Sequence, residues 1–289
     1  MRAPIEFGKT RFAPDPAGRG KCLSQSAVLE LVERSLRRLT PTDIERAMAR
    51  SHGWDRKRVQ RNLRALIEAR ELAYACEHGC TFVEKAFNRP VRLSARVVVV
   101  PANCSVKSAP GDVAVRLSAG AAFGAGNHPT TRLALRGLEF ALQPVTAGRL
   151  PWGCGRVLDV GTGSGILVTA AVSLGMRSGL GIDIDPCALA EARVNVALNR
   201  LEGRVEIADT APAGIRCAFQ MVLANLRPPT LARMRADLLR LTEAGGRLIL
   251  SGMRAAEADD IVRDYSAYCD CLWRREELDW AALVLQRNR

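Results

Sequence analysis

An α/β fold is what this sequence predicts: an open sheet covered by helices on both faces, preceded by a small α+β domain. Three observations carry the prediction. Past Arg156, apolar runs of strand length alternate with helix-length patterns to the end of the chain. The first of those strands enters a glycine-rich loop that opens directly into a helix. Before residue 90 the order differs, with three amphipathic helical patterns first and two short strand-like runs after them.

The chain has 289 residues, 48% hydrophobic and 25% charged, enough for two modest domains and incompatible with wholesale disorder. Its longest apolar run, Val97 to Pro101, is far below the ~20 residues that cross a bilayer, and no apolar leader precedes it. A soluble, cytoplasmic protein with no membrane partner is expected. Nine cysteines, an odd number in a chain of this length, read as reduced thiols rather than a disulfide framework. With three histidines and no Cys-x-x-Cys pair, no metal is expected; Cys76-Glu-His-Gly-Cys80 reads as two cysteines facing each other across a hairpin. The net charge of +12 is unevenly held, with 22 Lys and Arg against 12 Asp and Glu in residues 1 to 120, and 20 against 18 in residues 121 to 289. A basic N-terminal part suits an acidic partner: nucleic acid, ribosome or acidic protein.

Residues 1 to 22, with Pro4, Pro14, Pro16, Gly18 and Gly20 and little periodicity, read as a flexible leader. A recognition domain over residues 23 to 90 follows. Val28, Leu31, Val32, Leu36 and Leu39 recur at helical spacing, predicting a helix over Ala27 to Leu39. Thr40-Pro41-Thr42-Asp43 then supplies an N-cap hydroxyl, a first-turn proline and an acid three residues on, ahead of Ile44, Ala47 and Met48. After a glycine-containing turn, Asp55 caps a third helix with Val59, Leu63, Leu66 and Ile67 on one face. Leu72, Tyr74 and Cys76 alternate as a strand, and Cys80 to Val83 return. Three helices with a tight turn before the third, then a hairpin, predict a winged-helix-like domain. Lys57, Arg61 and Arg64 lie opposite the apolar face of the third helix, where a recognition helix would meet phosphates. A solvated basic face on a protein-binding module is the other reading. Residues 91 to 119 are expected as connecting strands and linker, and residues 120 to 289 as the sheet domain.

In that domain Arg156 to Val160 reads as a buried strand running into Gly161-Thr-Gly-Ser-Gly165 and a helix over Ile166 to Leu174. Gly161, Gly163 and Gly165 leave room for a ligand to approach the backbone, and the helix N-terminus faces its negative group. A second strand, Gly179 to Ile182, ends at Asp183, 22 residues after Gly161, where an acid accepts hydrogen bonds from a ribose diol. The loop is G-x-G-x-G with Asp159 two residues ahead, not the dinucleotide G-x-G-x-x-G. S-adenosylmethionine, zwitterionic and without a pyrophosphate, fits it better. Asp159 is then either the partner of the ammonium, directly or through water, or a strand-end acid bonding loop amides.

Asp185-Pro186 caps a helix to Asn199, Val205 to Ile207 is a strand ending near Asp209, and Phe219 to Ala224 one ending at Asn225. A helix over Leu231 to Leu241, a strand over Gly246 to Leu250, a helix over Ile261 to Tyr268, and strands near Leu272 and over Ala281 to Leu285 complete the alternation. Ligands of open α/β sheets bind at the carboxyl ends of the strands, where Gly161, Asp183, Asp209 and Asn225 all fall.

Gly120-Ala-Ala-Phe-Gly-Ala-Gly-Asn-His-Pro-Thr-Thr131, Leu158-Asp-Val-Gly-Thr-Gly-Ser-Gly-Ile166, Gly181-Ile-Asp-Ile-Asp-Pro186, Ala224-Asn-Leu226 and Leu250-Ser-Gly252 together resemble the PrmA family, the ribosomal protein L-eleven methyltransferases. The resemblance covers about residues 115 to 289, and its Phe-Gly-x-Gly-x-His-Pro-Thr-Thr segment separates this family from other class I methyltransferases. It implies a Rossmann-like class I methyltransferase domain over residues 120 to 289. It also implies that Thr131, Gly161, Asp183 and Asn225 contact S-adenosylmethionine while the Phe123 to Thr131 loop closes over the methionine end. Thr162 stands where the family commonly has cysteine, Ala125 where it commonly has threonine, and Arg227-Pro228-Pro229 follows Asn225-Leu226 in place of an apolar continuation. In place of the family's compact ferredoxin-like recognition domain stands the winged-helix-like one.

The activity this implies is methylation of a lysine or terminal amine on a ribosomal or other protein. Asn225 is the candidate catalytic residue, its side-chain carbonyl holding the attacking amine. His128, followed by Pro129, reads as a loop-shaping residue. Two other readings stand beside this one. A nucleic-acid methyltransferase would use Lys57, Arg61 and Arg64 on the phosphate backbone, although no aromatic follows the proline pair to stack a flipped base. A non-enzymatic regulator would bind DNA with the winged helix and sense S-adenosylmethionine with the sheet domain.

Overall fold

The computed structural model of the chain describes residues 23–35, 39–69, 71–77, 80–106, 109–118, 128–143 and 155–289. The chain divides into two compact units, one ending at Ala86 and the other starting at Phe87. Residues 1 to 22, expected as a leader, lie outside the described residues. Among those described, no helix is long and apolar enough to cross a membrane.

The first unit holds α1 (Leu23–Arg34), α2 (Pro41–His52), α3 (Arg56–Glu68), β1 (Leu72–Glu77) and β2 (Cys80–Lys85). Thr40 caps α2 in a capping box: its hydroxyl accepts from the Asp43 amide, and the Asp43 carboxylate accepts from the Thr40 amide, both at 3.1 Å. Gly53, at φ +64°, closes α2, and Asp55 caps α3 through the Arg58 amide at 2.7 Å. Val28, Ile44, Met48, Val59, Leu63, Leu66, Leu72 and Val83 share one core. The first helix is shorter at its end than its periodicity predicts. It stops at Arg34, and Leu39 instead bridges Val83, whose amide donates to the Leu39 carbonyl at 2.8 Å. Pro41 disfavours helix at Thr40, so the chain enters α2 extended, and Leu39 reaches the core from a single bridge to Val83. The hairpin register pairs Cys76 with Thr81 and Glu77 with Cys80, so the two cysteines do not face each other.

The second unit contains two sheets. In the smaller, β3 (Val91–Arg92) pairs antiparallel with β4 (Val97–Pro101), and β4 pairs parallel with β5 (Val113–Leu117). Residues 91 to 117, expected as connecting strands, are thus built into the unit. Every residue of β4 is buried, and Val97, Val99, Val115 and Leu117 join the core of the larger sheet.

The larger sheet has β6 (Arg156–Val160), β7 (Ser178–Ile182), β8 (Val205–Ala208), β9 (Phe219–Asn225), β10 (Thr242–Arg254), β11 (Cys269–Glu277) and β12 (Trp280–Arg287). Their spatial order is β11-β12-β10-β9-β6-β7-β8, with β12 antiparallel to both neighbours and the other pairings parallel. Side chains alternate across it. Val157, Met221 and Leu223 meet α4 (Pro129–Ala141), α5 (Ile166–Ser173) and α6 (Pro186–Leu198), whereas Leu158, Val222 and Leu248 meet α7 (Pro228–Leu241) and α8 (Ala258–Tyr265). Chain order reverses on either side of β6, which pairs with β7 on one side and β9 on the other, so the carboxyl ends of β6 and β9 flank the switch point where such sheets take ligands.

Candidate functional site

The glycine loop is fixed by its neighbour strand before any ligand is considered. The amides of Gly161 and Thr162 both donate to the Ile182 carbonyl at 2.9 Å, tying the end of β6 to the end of β7. Gly161 has φ +72°, a conformation that favours glycine, and a Cβ there would stand 2.6 Å from Cδ2 of Leu226, so a larger residue would also have to push that side chain aside. The Gly163 amide donates to Oδ2 of Asp183 at 2.9 Å, and the Asp185 amide to Oδ1 at 3.0 Å. Each Asp183 oxygen carries one backbone hydrogen bond and retains acceptor capacity toward a ligand.

Asp159 lies beneath the loop, fully buried. Its Oδ2 accepts from the Thr162 hydroxyl at 2.7 Å and from the Val168 amide at 3.3 Å, bracing the loop against the first turn of α5. Burial pushes its carboxyl up to about 7; the two hydrogen bonds oppose that rise and the negative charge of Asp183 adds to it.

Asn225 ends β9, level with Ser251 on β10. The Leu226 amide donates to the Ser251 carbonyl at 3.0 Å, and the Ser251 hydroxyl donates to the Thr130 carbonyl at 3.0 Å, which draws the first turn of α4 to the same rim. His128 caps that helix, its Nδ1 accepting from the Thr130 amide at 3.3 Å. Burial, with Arg132 and Arg254 nearby, holds its imidazole below the usual histidine range. Thr131, Gly161, Asp183 and Asn225 are thereby brought together through Leu226, Ser251 and the loop. Asp209 follows β8, exposed at the outer end of the same rim. Of the loop from Phe123 to Thr131, only His128 onward lies within the described residues.

Four side-chain oxygens here, Oγ1 of Thr131, Oδ1 of Asp159, Oγ of Ser164 and Oδ1 of Asn225, are buried with no hydrogen-bond partner among the described residues. A buried polar atom left unpaired costs about 1–3 kcal/mol, so a cluster of them marks a place where a ligand completes the bonding. Together with the glycine cradle and the Asp183 carboxylate, they fit S-adenosylmethionine: a nucleoside with a diol, joined to a zwitterionic amino acid.

Sequence reasoning missed one structural anchor of the loop. Asn195 on α6 is fully buried; its Nδ2 donates to the Ser164 carbonyl at 2.8 Å, and its Oδ1 accepts from the Ser118 amide at 2.8 Å and the Ser118 hydroxyl at 2.9 Å. The only signal for it in the sequence is a polar residue on the apolar face of a helix. Lys57, Arg61 and Arg64 are exposed on α3, in the other unit.

The family described as Ribosomal protein L11 methyltransferase (PrmA) matches residues 81–288. The chain belongs to the PrmA family. Among relatives carrying that description, one from Geobacter sulfurreducens is 48% identical over 200 residues, covering 69% of this chain and 63% of its own. One from Pelobacter propionicus is 38% identical over 205 residues, covering 70% and 65%. The chain therefore spans just under two thirds of the length of these PrmA relatives. A crystal structure of a ribosomal protein L11 methylase from Lactobacillus delbrueckii subsp. bulgaricus, 29% identical, superposes with a TM-score of 0.61 over 70% of this chain and all of that one. The PrmA match takes in the three-stranded sheet, upstream of the motifs that carry the resemblance, and leaves α1, α2, α3 and β1 outside it.

Proposed function

We propose that this chain is a cytoplasmic, S-adenosylmethionine-dependent protein N-methyltransferase of the PrmA type, acting on a lysine or terminal amine of a ribosomal protein. The observation that carries this reading is the group of unpaired buried oxygens beside the glycine loop and Asp183, at the switch point of a PrmA-family sheet.

When bound, S-adenosylmethionine supplies a methyl group made electrophilic by a positively charged sulfur. Gly161, Gly163 and Gly165 let the backbone approach its sugar, and Asp183 accepts from the ribose hydroxyls with the lone pairs its backbone bonds leave. Asp209 meets the nucleoside side from the outer rim. The positive end of α5 faces the carboxylate, and the Thr131 hydroxyl pairs with the methionine part. Asp159 braces the loop through Oδ2, engaged by Thr162 and Val168, and its unpartnered Oδ1 is left to accept from the ammonium, directly or through water.

The acceptor amine must arrive neutral, since only its lone pair attacks. Oδ1 of Asn225, buried and unpaired, accepts one N–H of that amine and turns the lone pair toward the methyl group. Replacing Asn225 by alanine is expected to reduce turnover by roughly 10²-fold, the scale of a lost orienting hydrogen bond in a dry site, while donor affinity by calorimetry changes much less. Equal losses of turnover and donor affinity would remove the orienting role.

A further inference from the structure

The first unit carries a surface that the methyl-transfer reading leaves unused. Along α3, Lys57, Arg61 and Arg64 stand on the exposed side, opposite the buried Val59, Leu63 and Leu66. Their spacing places them in one narrow strip about 10 Å long at 1.5 Å per residue. Among the described residues none of the three has an ion-pair partner, whereas the other two cations of the helix are engaged: Arg56 with Glu45 at 3.3 Å, and Arg58 stacked 4.5 Å from the Trp54 ring. Those same contacts, with a bond from Gln60 to Glu45 at 2.9 Å, lock α2 to α3 across the short turn at Gly53. The three cations therefore stand without ion-pair partners among the described residues, on a helix that is rigidly held. The helix beneath it is the second of a helix-turn-helix pair, backed by α1 and followed by the antiparallel hairpin of β1 and β2.

We propose that this face of α3 docks duplex DNA, with Lys57, Arg61 and Arg64 on the phosphates and the helix lying along the major groove. A rigid helix with exposed cations along one strip suits the B-form major groove, which admits an α-helix; the deep, narrow major groove of A-form RNA does not. The N-terminal half of α3, where Lys57 and Arg61 sit, also adds the positive end of its dipole. Glu68, on the same strip one turn beyond Arg64, confines the contact to the stretch from Lys57 to Arg64.

The test is fluorescence anisotropy of the full chain with a labelled DNA duplex, over a salt series. Three phosphate contacts predict a slope of about −2.7 in log affinity against log salt, a loss of about 40-fold between 50 and 200 mM. K57A, R61A and R64A should each lower the slope by about one, and the triple variant should abolish the salt-dependent binding. These side chains are exposed, and an unchanged circular dichroism spectrum confirms that the fold is intact. Absence of duplex binding at 50 mM salt, binding unaltered in the triple variant, or preference for duplex RNA or an acidic protein over duplex DNA would each overturn the proposal.

Discussion

Thr131→Val separates ligand binding from folding more cleanly than any other single change at the site. Valine matches threonine in shape and replaces only the hydroxyl, which is fully buried and has no partner among the described residues. An unpaired buried hydroxyl costs about 1–3 kcal/mol. Taking the lower end, the variant without ligand gains about 1 kcal/mol, a rise of about 2–4 °C in Tm for a unit of this size. With the donor bound the sign reverses, because the bond made by the hydroxyl is lost at about 1 kcal/mol; the two changes add to about 2 kcal/mol in binding, or roughly a thirty-fold weaker Kd. Thermal melts with and without S-adenosylmethionine, paired with calorimetry, read both numbers on one sample. The variant should melt higher alone and be stabilised less by the donor. A lower Tm without ligand would show that the hydroxyl is already satisfied, and an unchanged donor Kd would remove Thr131 from the binding site.

Two further predictions concern the support beneath the loop. Asn195→Ala strips the Ser164 carbonyl and the Ser118 amide of their partners and leaves a small cavity; a loss of about 3 kcal/mol and of about 6–12 °C in Tm is expected in melts, with weakened donor binding, against under 0.5 kcal/mol if the residue were incidental. Asp159 has a folded pKa of about 7, above its unfolded value of ~3.9, so the native state holds the proton more tightly and this contribution to stability is complete below pH ~4 and lost as pH rises through 7. The Tm of the wild-type protein should therefore fall relative to Asp159→Asn between pH 5 and pH 8; a constant difference across that range would mean that the carboxyl titrates normally.

Much of this site is written in local sequence because its chemistry is local. The strand-to-glycine transition at Val160-Gly161, the acid ending the next strand and Asn225 ending another are each fixed by a few adjacent residues, and sheet topology does the rest by bringing strand ends to one rim. What local patterns cannot carry is pairing between distant segments. The Ser251 bond to Thr130 spans 121 residues and the Asn195 bond to Ser118 spans 77, and neither leaves a periodic trace. The same limit explains the first helix: its apolar spacing continues to Leu39, but Leu39 is apolar because it is buried in the core beside Val83, not because the helix continues. Residues 91 to 117 were legible as strands but not as part of the second unit, since the burial of β4 depends on helices much later in the chain. The sequence likewise leaves two roles for Asp159, because both place an acid at the same position; the bonds from Thr162 and Val168 to Oδ2 are pairings that no local pattern announces.

The central claim is that the rim formed by Thr131, Gly161, Asp183 and Asn225 transfers a methyl group from S-adenosylmethionine to a protein amine. It is tested most directly by incubating the purified chain with labelled donor and a ribosomal-protein fraction, with Asp183→Ala and Asn225→Ala in parallel, and counting protein and nucleic acid separately. Label should enter a protein band, be recovered on a lysine or N-terminal nitrogen by mass spectrometry, and be lost in both variants. Label in nucleic acid alone, or none in either fraction despite donor binding by calorimetry, would contradict it.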